Sequence, residues 1–116
     1  MSLDFKYDSP INDIQIAVHE LAVDKGWWEH GYDRNFGEQI ALMHSELSEA
    51  LESWRDDKPF VWFDGHKPEG AGIELADCVI RIFDTLYAKG YDVGTLIEIK
   101  HSYNSNRPYR HGGKKA

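Results

Sequence analysis

The chain has 116 residues, ordinary apolar content and a formal net charge of −7. This length favours one domain over residues 1–116, and the negative charge argues against a binder of DNA or RNA polymers, which needs a basic surface. A single cysteine excludes an internal disulfide, and we find neither a signal peptide nor a transmembrane run. We therefore expect a cytoplasmic protein without a membrane partner.

The charge is unevenly distributed along the sequence. Residues 100–116 contain five basic and no acidic side chains, which leaves the first 99 residues with 8 basic and 20 acidic side chains, a net charge of −12. The basic tail at residues 105–116 has two interpretations. It is either a flexible, disordered segment or a source of cations for a polyanionic ligand held by the acidic body.

The first two predicted helices precede residue 56. Apolar residues at helical spacing mark a helix from about Ile11 to Lys25, and Ser9-Pro10 before it is a start signal because proline suits the first helical turn. A second helix is predicted from about Asn35 to Arg55. Its amphipathic apolar stripe consists of Phe36, Ile40, Met43, Leu47, Ala50, Leu51 and Trp54.

Two further helices follow a segment rich in Asp, Gly and Pro at residues 56–72, in which residues 60–63 are the one strand candidate. The third helix, from about Ile73 to Lys89, is apolar over half its circumference, which indicates a central position in a bundle or a subunit interface. The fourth runs from about Val93 to Tyr103, with Asp92 as the expected N-cap. The sequence thus predicts an all-α fold, a helical bundle of about four main helices.

Two acidic pairs with equal spacing are the strongest candidates for chemistry. Glu46 and Glu49 lie in the second predicted helix, and Glu74 and Asp77 lie in the third. Residues three apart are neighbours on a helix, so each pair can direct two carboxylates to one place. Carboxylate ligands favour Mg²⁺, with Mn²⁺ as the alternative. The same spacing also fits two solvated helix faces.

The acidic pairs and their flanks resemble the MazG-like, all-α nucleoside triphosphate pyrophosphohydrolases. The similar stretches cover most of the chain: residues 44–52, 67–70, 73–84 and 100–114. The chain departs from the family pattern at His101, where an apolar residue is usual, and at Ser105-Asn106, where Lys and Thr are usual.

The resemblance implies an all-α NTP pyrophosphatase fold in a homodimer or a higher homo-oligomer. It also implies Mg²⁺-dependent hydrolysis of a nucleoside or deoxynucleoside triphosphate to the monophosphate and pyrophosphate. Glu46, Glu49, Glu74 and Asp77 would then be the metal ligands and catalytic groups, and one of the four can instead serve as general base. Two other classes of function stay open: a non-catalytic metal- or nucleotide-binding module, and a helical dimerisation domain.

Candidate cations for a phosphate chain lie in the fourth helix and the tail. Lys100 and Asn104 are four residues apart and share a helix face, and Arg107, Arg110 and Lys114 follow them. The alternative for Lys100 is a cation that interacts with the helix dipole. The alternative for Lys114 is a place in a disordered tail.

Candidates for recognition of a nucleobase follow from the aromatic residues near the first helix. Trp28 and its neighbour Trp27 either stack on a base or pack on the bundle. His19 either lines the same pocket or has a structural role. Cys78, beside Asp77, is expected to be a small buried residue.

Overall fold

The computed structural model describes residues 9–31 and 35–109. Within these ranges the chain forms four helices and one hairpin, in the order α1 (Pro10–Asp24), α2 (Phe36–Arg55), β1 (Trp62–Asp64), β2 (Lys67–Glu69), α3 (Ala71–Ala88) and α4 (Val93–Ser105). The prediction of an all-α bundle of about four helices is confirmed. None of the described helices combines the length and apolar content that crossing a membrane requires.

Three of the four helices begin at a residue whose side chain caps the first turn. The Ser9 hydroxyl accepts a hydrogen bond from the backbone N–H of Asn12, and Pro10 follows in the first turn, as the sequence predicted. Asn35 caps α2 in the same way. Asp92 caps α4 and confirms its prediction. Because each oxygen satisfies a backbone donor that has no partner within its helix, these residues define where the helices start.

The segment between α2 and α3 contains a two-stranded antiparallel hairpin. Trp62 pairs with Glu69 and Asp64 with Lys67, so Gly65 and His66 form a two-residue turn. Gly65 has a φ of 63°, which suits the first position of a type II′ turn. The sequence interpretation had one strand candidate here, residues 60–63, and missed β2 because Lys67-Pro68-Glu69 has no apolar alternation.

The hairpin is joined to α3 by a close backbone approach at Gly70. This glycine has a φ of 114°, and a Cβ in its place would collide with the carbonyl oxygen of Phe60. The same carbonyl accepts a 2.9 Å hydrogen bond from the N–H of Gly72. Only glycine fits at residue 70, and the contact sets the point at which α3 begins.

Helices α2 and α3 form the central pair of the bundle. They are antiparallel, because Glu49, late in α2, lies beside Glu74, early in α3. Met43 of α2 and Cys78 of α3 are buried, and the thiol of Cys78 lies 3.6 Å from the carbonyl oxygen of Met43. The expectation that Cys78 is a small buried residue is confirmed. This contact sets the register that brings the two acidic pairs to the same level.

A buried polar network attaches α4 to α1. Gln15 is fully buried, donates to the carbonyl oxygens of Phe83 and Tyr91, and accepts from the N–H of Val93. One Asp92 oxygen accepts hydrogen bonds from Asn12 at 2.8 Å and from Thr95. The N-terminal end of α4 is therefore held by specific hydrogen bonds in addition to the buried side chain of Val93.

The predicted apolar stripe of α2 is only partly buried. Met43 and Ala50 are covered, whereas four members are exposed: Phe36, Leu47, Leu51 and Trp54. These four residues are therefore not part of the core of one chain. One chain of this length has too few elements to cover both sides of α2.

Candidate metal centre

The acidic pairs are brought together by the register of α2 and α3. Glu46 and Glu49 lie one turn apart on α2, and Glu74 and Asp77 lie one turn apart on the facing side of α3. Because the helices are antiparallel, the first pair and the second pair lie opposite each other. Ligand oxygens of Glu46, Glu74 and Asp77 all lie within 4.8 Å of one another.

Glu49 completes this group, which we call the acidic quartet. Its carboxylate is close enough to Glu74 for hydrogen bonding and for a direct charge effect. Three of the four side chains that the sequence singled out thus converge in the structure, and Glu49 lies beside Glu74. No other trio of His, Cys, Asp or Glu side chains within residues 9–31 and 35–109 brings its ligand atoms equally close.

The quartet disfavours four simultaneous negative charges. Burial raises the pKa of Glu74 from 4.5 to about 7, with hydrogen bonds to Glu49 and Glu46 and the negative charges of both adding to the increase. Burial also raises the pKa of Asp77, as does the charge of Glu46, whereas Arg81 opposes the increase. A bound cation would reduce the repulsion between carboxylates that lie this close together.

The donor set fits a hard divalent cation. All four groups are carboxylates, and the quartet is graded in exposure: Glu46 is buried at 8% exposure, Glu74 and Asp77 are half-buried, and Glu49 is exposed. A cation here could keep some water ligands on the Glu49 side, as Mg²⁺ usually does. Glu46, Glu49, Glu74 and Asp77 are the residues that would hold it.

A cavity of about 330 Å³ adjoins the quartet. Glu46 and Asp77 form part of its polar wall, together with Arg81. The apolar wall consists of Val18, Leu21 and Ala22 of α1 with Ile80 of α3. The cavity has the size range of small-molecule sites, and its mixed lining suits a ligand with one charged and one flat apolar part.

Trp27, rather than Trp28, is the tryptophan that lines the cavity. The side chain of Trp27 is 54% exposed and belongs to the cavity wall, whereas Trp28 is 7% exposed and does not. Between the two alternatives that the sequence left open, these positions favour packing for Trp28. Its neighbour offers the accessible aromatic face.

Trp28 and His19 share one half-buried partner, Asp84 of α3. The indole N–H of Trp28 lies 3.0 Å from both carboxylate oxygens, and Nδ1 of His19 lies 2.7 Å from one of them. The imidazole also stacks on the ring of Tyr87 at 4.1 Å between centroids. These contacts favour the structural alternative for His19. Asp84 itself reaches the cavity wall.

The cations predicted from the fourth helix lie on a different part of the surface. Helix α4 packs on α1 and α3 and has no backbone approach to α2 within the described residues. Lys100 and Arg107 both lie against the exposed ring of Tyr103, at 4.8 and 5.6 Å from its centroid. Asn104 is exposed nearby. None of these three lines the cavity, and Arg110 and Lys114 lie outside the described residues.

Arg81 is the site residue that the sequence interpretation missed. Its Nε donates a 2.9 Å hydrogen bond to Glu46 Oε1, and it lines the cavity. A signal was available, because Arg81 is four residues after Asp77 and therefore shares its helix face. The polar stripe of α3 contains both residues together with Glu74 and Asp84, and all four take part in the site or in its supporting contacts.

Comparisons of the chain with protein-family models, with curated proteins and with solved structures found no match. The resemblance to MazG-like enzymes therefore rests on the paired acidic motifs and their flanks. The function of the protein is inferred from the chemistry of the quartet and of the cavity beside it.

Proposed function

We propose that the protein is a Mg²⁺-dependent nucleoside triphosphate pyrophosphohydrolase, which converts a nucleoside or deoxynucleoside triphosphate to the monophosphate and pyrophosphate. The observation that supports this most strongly is the convergence of Glu46, Glu74 and Asp77 within 4.8 Å, with Glu49 beside them. The adjoining cavity has room and an aromatic wall for a nucleoside. The motif resemblance points to the same reaction.

The geometry suggests a division of labour among the residues. Mg²⁺ at the quartet would neutralise phosphate oxygens and favour attack of water on the α-phosphorus. The carboxylates hold the charge that this requires, and one of them is available to accept the proton of the attacking water. Trp27 offers a face for the base, and the apolar wall of the cavity excludes water from that end.

The test is a panel of NTPs and dNTPs incubated with Mg²⁺ or with EDTA, with the products identified by ³¹P NMR. We expect pyrophosphate and monophosphate, and only with Mg²⁺. Orthophosphate in place of pyrophosphate would mean that another bond is cleaved. Tight nucleotide binding without products would instead support the non-catalytic binding module.

Two conservative variants connect the reaction to the quartet. Glu49→Gln and Asp77→Asn each remove one charge and keep the shape, so we expect loss of turnover with the fold intact by circular dichroism. Glu98→Gln is the matched control, because Glu98 is an exposed acid on α4. Near-normal turnover in either quartet variant would refute the site assignment.

A further inference from the structure

Arg81 uses only part of its hydrogen-bonding capacity in this structure. Its Nε binds Glu46 at 2.9 Å, and its guanidinium carbon lies 6.0 Å from the centroid of the Trp27 ring. Among the described residues, Arg81 makes its hydrogen bond through Nε, and its two terminal amino groups make none. The same side chain lines the cavity. Guanidinium donors normally have partners when half-buried.

The guanidinium lies between two chemically different parts of the site. Glu46 of the quartet is on one side, and the aromatic face of Trp27 is on the other. In a nucleotide the metal binds oxygens of the phosphate chain and the sugar joins the α-phosphate to the base, so the α-phosphate end of the chain lies between the metal and the base. A donor located between a carboxylate centre and an aromatic wall can therefore reach an oxygen of the phosphate chain.

A guanidinium suits this task better than an ammonium would. Its planar fork can donate to two acceptors at once, with Nε to one carboxylate and the terminal groups to a second anion. Glu46 alone cannot satisfy this fork. The other cation of the cavity, Lys25, is exposed and has no forked donors.

We propose that Arg81 is a substrate-binding residue whose terminal amino groups bind the phosphate chain of the nucleotide while its Nε stays on Glu46. The inference rests on the proposed function for the identity of the ligand. It assigns the phosphate contact to α3, beside the quartet, rather than to the cations of α4 and the tail.

The experiment uses inorganic tripolyphosphate, which carries a phosphate chain without a base or a sugar. Its affinity in the presence of excess Mg²⁺ is measured by calorimetry for the wild type, Arg81→Ala and Arg81→Lys, with Lys89→Ala as a control that removes one exposed cation from the end of α3. Mn²⁺ affinity without polyphosphate is measured in parallel by electron paramagnetic resonance. Circular dichroism is used to check that each variant is folded.

Arg81→Ala should weaken tripolyphosphate binding on the order of 10- to 100-fold, because charge-assisted hydrogen bonds are among the strong ones. Arg81→Lys should recover only part of this loss, and Lys89→Ala should lose nothing. The affinity of Arg81→Ala for Mn²⁺ should change by less than about fivefold, because a part-exposed ion pair contributes little.

Two results would overturn the proposal. If Mn²⁺ and tripolyphosphate binding fall together in Arg81→Ala, the arginine acts only by orienting Glu46. If wild type and Arg81→Ala bind tripolyphosphate equally, or if neither binds it, Arg81 has no phosphate contact. Failure of the proposed function is a separate outcome, since it is read from pyrophosphate release by the wild type on the nucleotide panel.

Discussion

Glu74 shows at the level of one residue what crowding of carboxylates does to protonation. It has two carboxylate neighbours, and burial together with these neighbours raises its pKa from 4.5 to about 7. The folded protein therefore binds a proton at Glu74 more tightly than the unfolded chain does. Without metal, this carboxylate destabilises the fold whenever it is charged.

This difference predicts a pH-dependent stability in the absence of metal. Between about pH 4.5 and about pH 7, the unfolded chain loses the Glu74 proton before the folded protein does, so the free energy of unfolding falls as pH rises through this window. Glu74→Gln should remove that part of the fall and give a higher Tm than the wild type near pH 8. Thermal unfolding in EDTA across this range is the measurement.

Divalent cation provides the control for the Glu74 prediction. Mg²⁺ should raise the Tm of the wild type at pH 8 and leave that of Glu74→Gln nearly unchanged, because binding to the folded state alone is stabilising. Parallel pH profiles of the two proteins in EDTA would contradict the account of Glu74.

Substitution of Trp27 should mainly affect nucleotide binding, and substitution of Trp28 should mainly affect stability. Trp27→Ala should weaken nucleotide binding by about 1–3 kcal/mol, the value of one stacked base, and leave the Tm nearly unchanged because the ring is half-exposed. Trp28→Phe should instead lower stability by about 1–3 kcal/mol, since it leaves Asp84 without its indole donor. Calorimetric binding and urea unfolding measure the two effects. Equal binding losses in both variants would place Trp28 in the site as well.

At the level of elements, the sequence predicted what local rules determine. Helical periodicity and the caps at Ser9 and Asp92 predicted both ends of each helix to within about two residues. The β2 strand was not predictable in the same way. Lys67-Pro68-Glu69 has neither β-branched nor aromatic residues, and it forms a strand because the Gly65 turn and the Gly70–Phe60 approach leave it beside β1.

The two acidic pairs were predictable, whereas the partner of Arg81 was not. Spacing within one helix fixes which residues share a face, so Glu46 with Glu49 and Glu74 with Asp77 could be paired from the sequence. The contact between Arg81 and Glu46 depends on the register between α2 and α3. That register arises from packing around Met43 and Cys78, which leaves no local signal in the sequence.

The N-terminus of α4 offers a test of how the elements are held together. Burial alone would raise the pKa of Asp92, but hydrogen bonds from Thr95 and Asn12 outweigh it and the pKa lies below its ordinary value of 3.8. Asp92→Ala removes a helix cap and leaves buried donors unpaired, so we expect a loss of about 2–4 kcal/mol in urea unfolding.

Asn35→Ala is the matched control for the Asp92 variant, because Asn35 caps α2 at an exposed position with one recorded hydrogen bond. Its loss should be about 0.5–2 kcal/mol. Equal losses for the two caps would show that the bonds from Asn12 and Thr95 to Asp92 contribute nothing beyond ordinary capping.

On the scale of the whole molecule, the part of the chain that the structure describes leaves a wide apolar face uncovered. Leu47, Leu51 and Trp54 form a stripe on α2, and Leu75, Val79 and Ile82 form a stripe on α3. On each helix, the residues of the stripe directly follow, in the sequence, the residues that face the partner helix. In an antiparallel pair this places both stripes on the same side, and contiguous exposed apolar surface of this kind marks an interaction site.

We propose that a second copy of the chain covers this face. The wild type should then elute as a dimer or a larger homo-oligomer, with its mass determined by light scattering. Leu51→Lys or Val79→Asp should shift it toward the monomer, because a charge buried at the interface has no partner. Val23→Lys is a control at an equally exposed apolar position on α1. A monomeric wild type would contradict this proposal.

The central claim of this account is that four carboxylates on two helices form one divalent cation site. The most direct test is titration of the metal-free protein with Mn²⁺, followed by electron paramagnetic resonance. We expect saturable binding by the wild type, competition by Mg²⁺, and loss of binding in Glu49→Gln and in Asp77→Asn with Glu98→Gln unaffected. Equal Mn²⁺ binding in all four proteins, or none in the wild type, would contradict the claim.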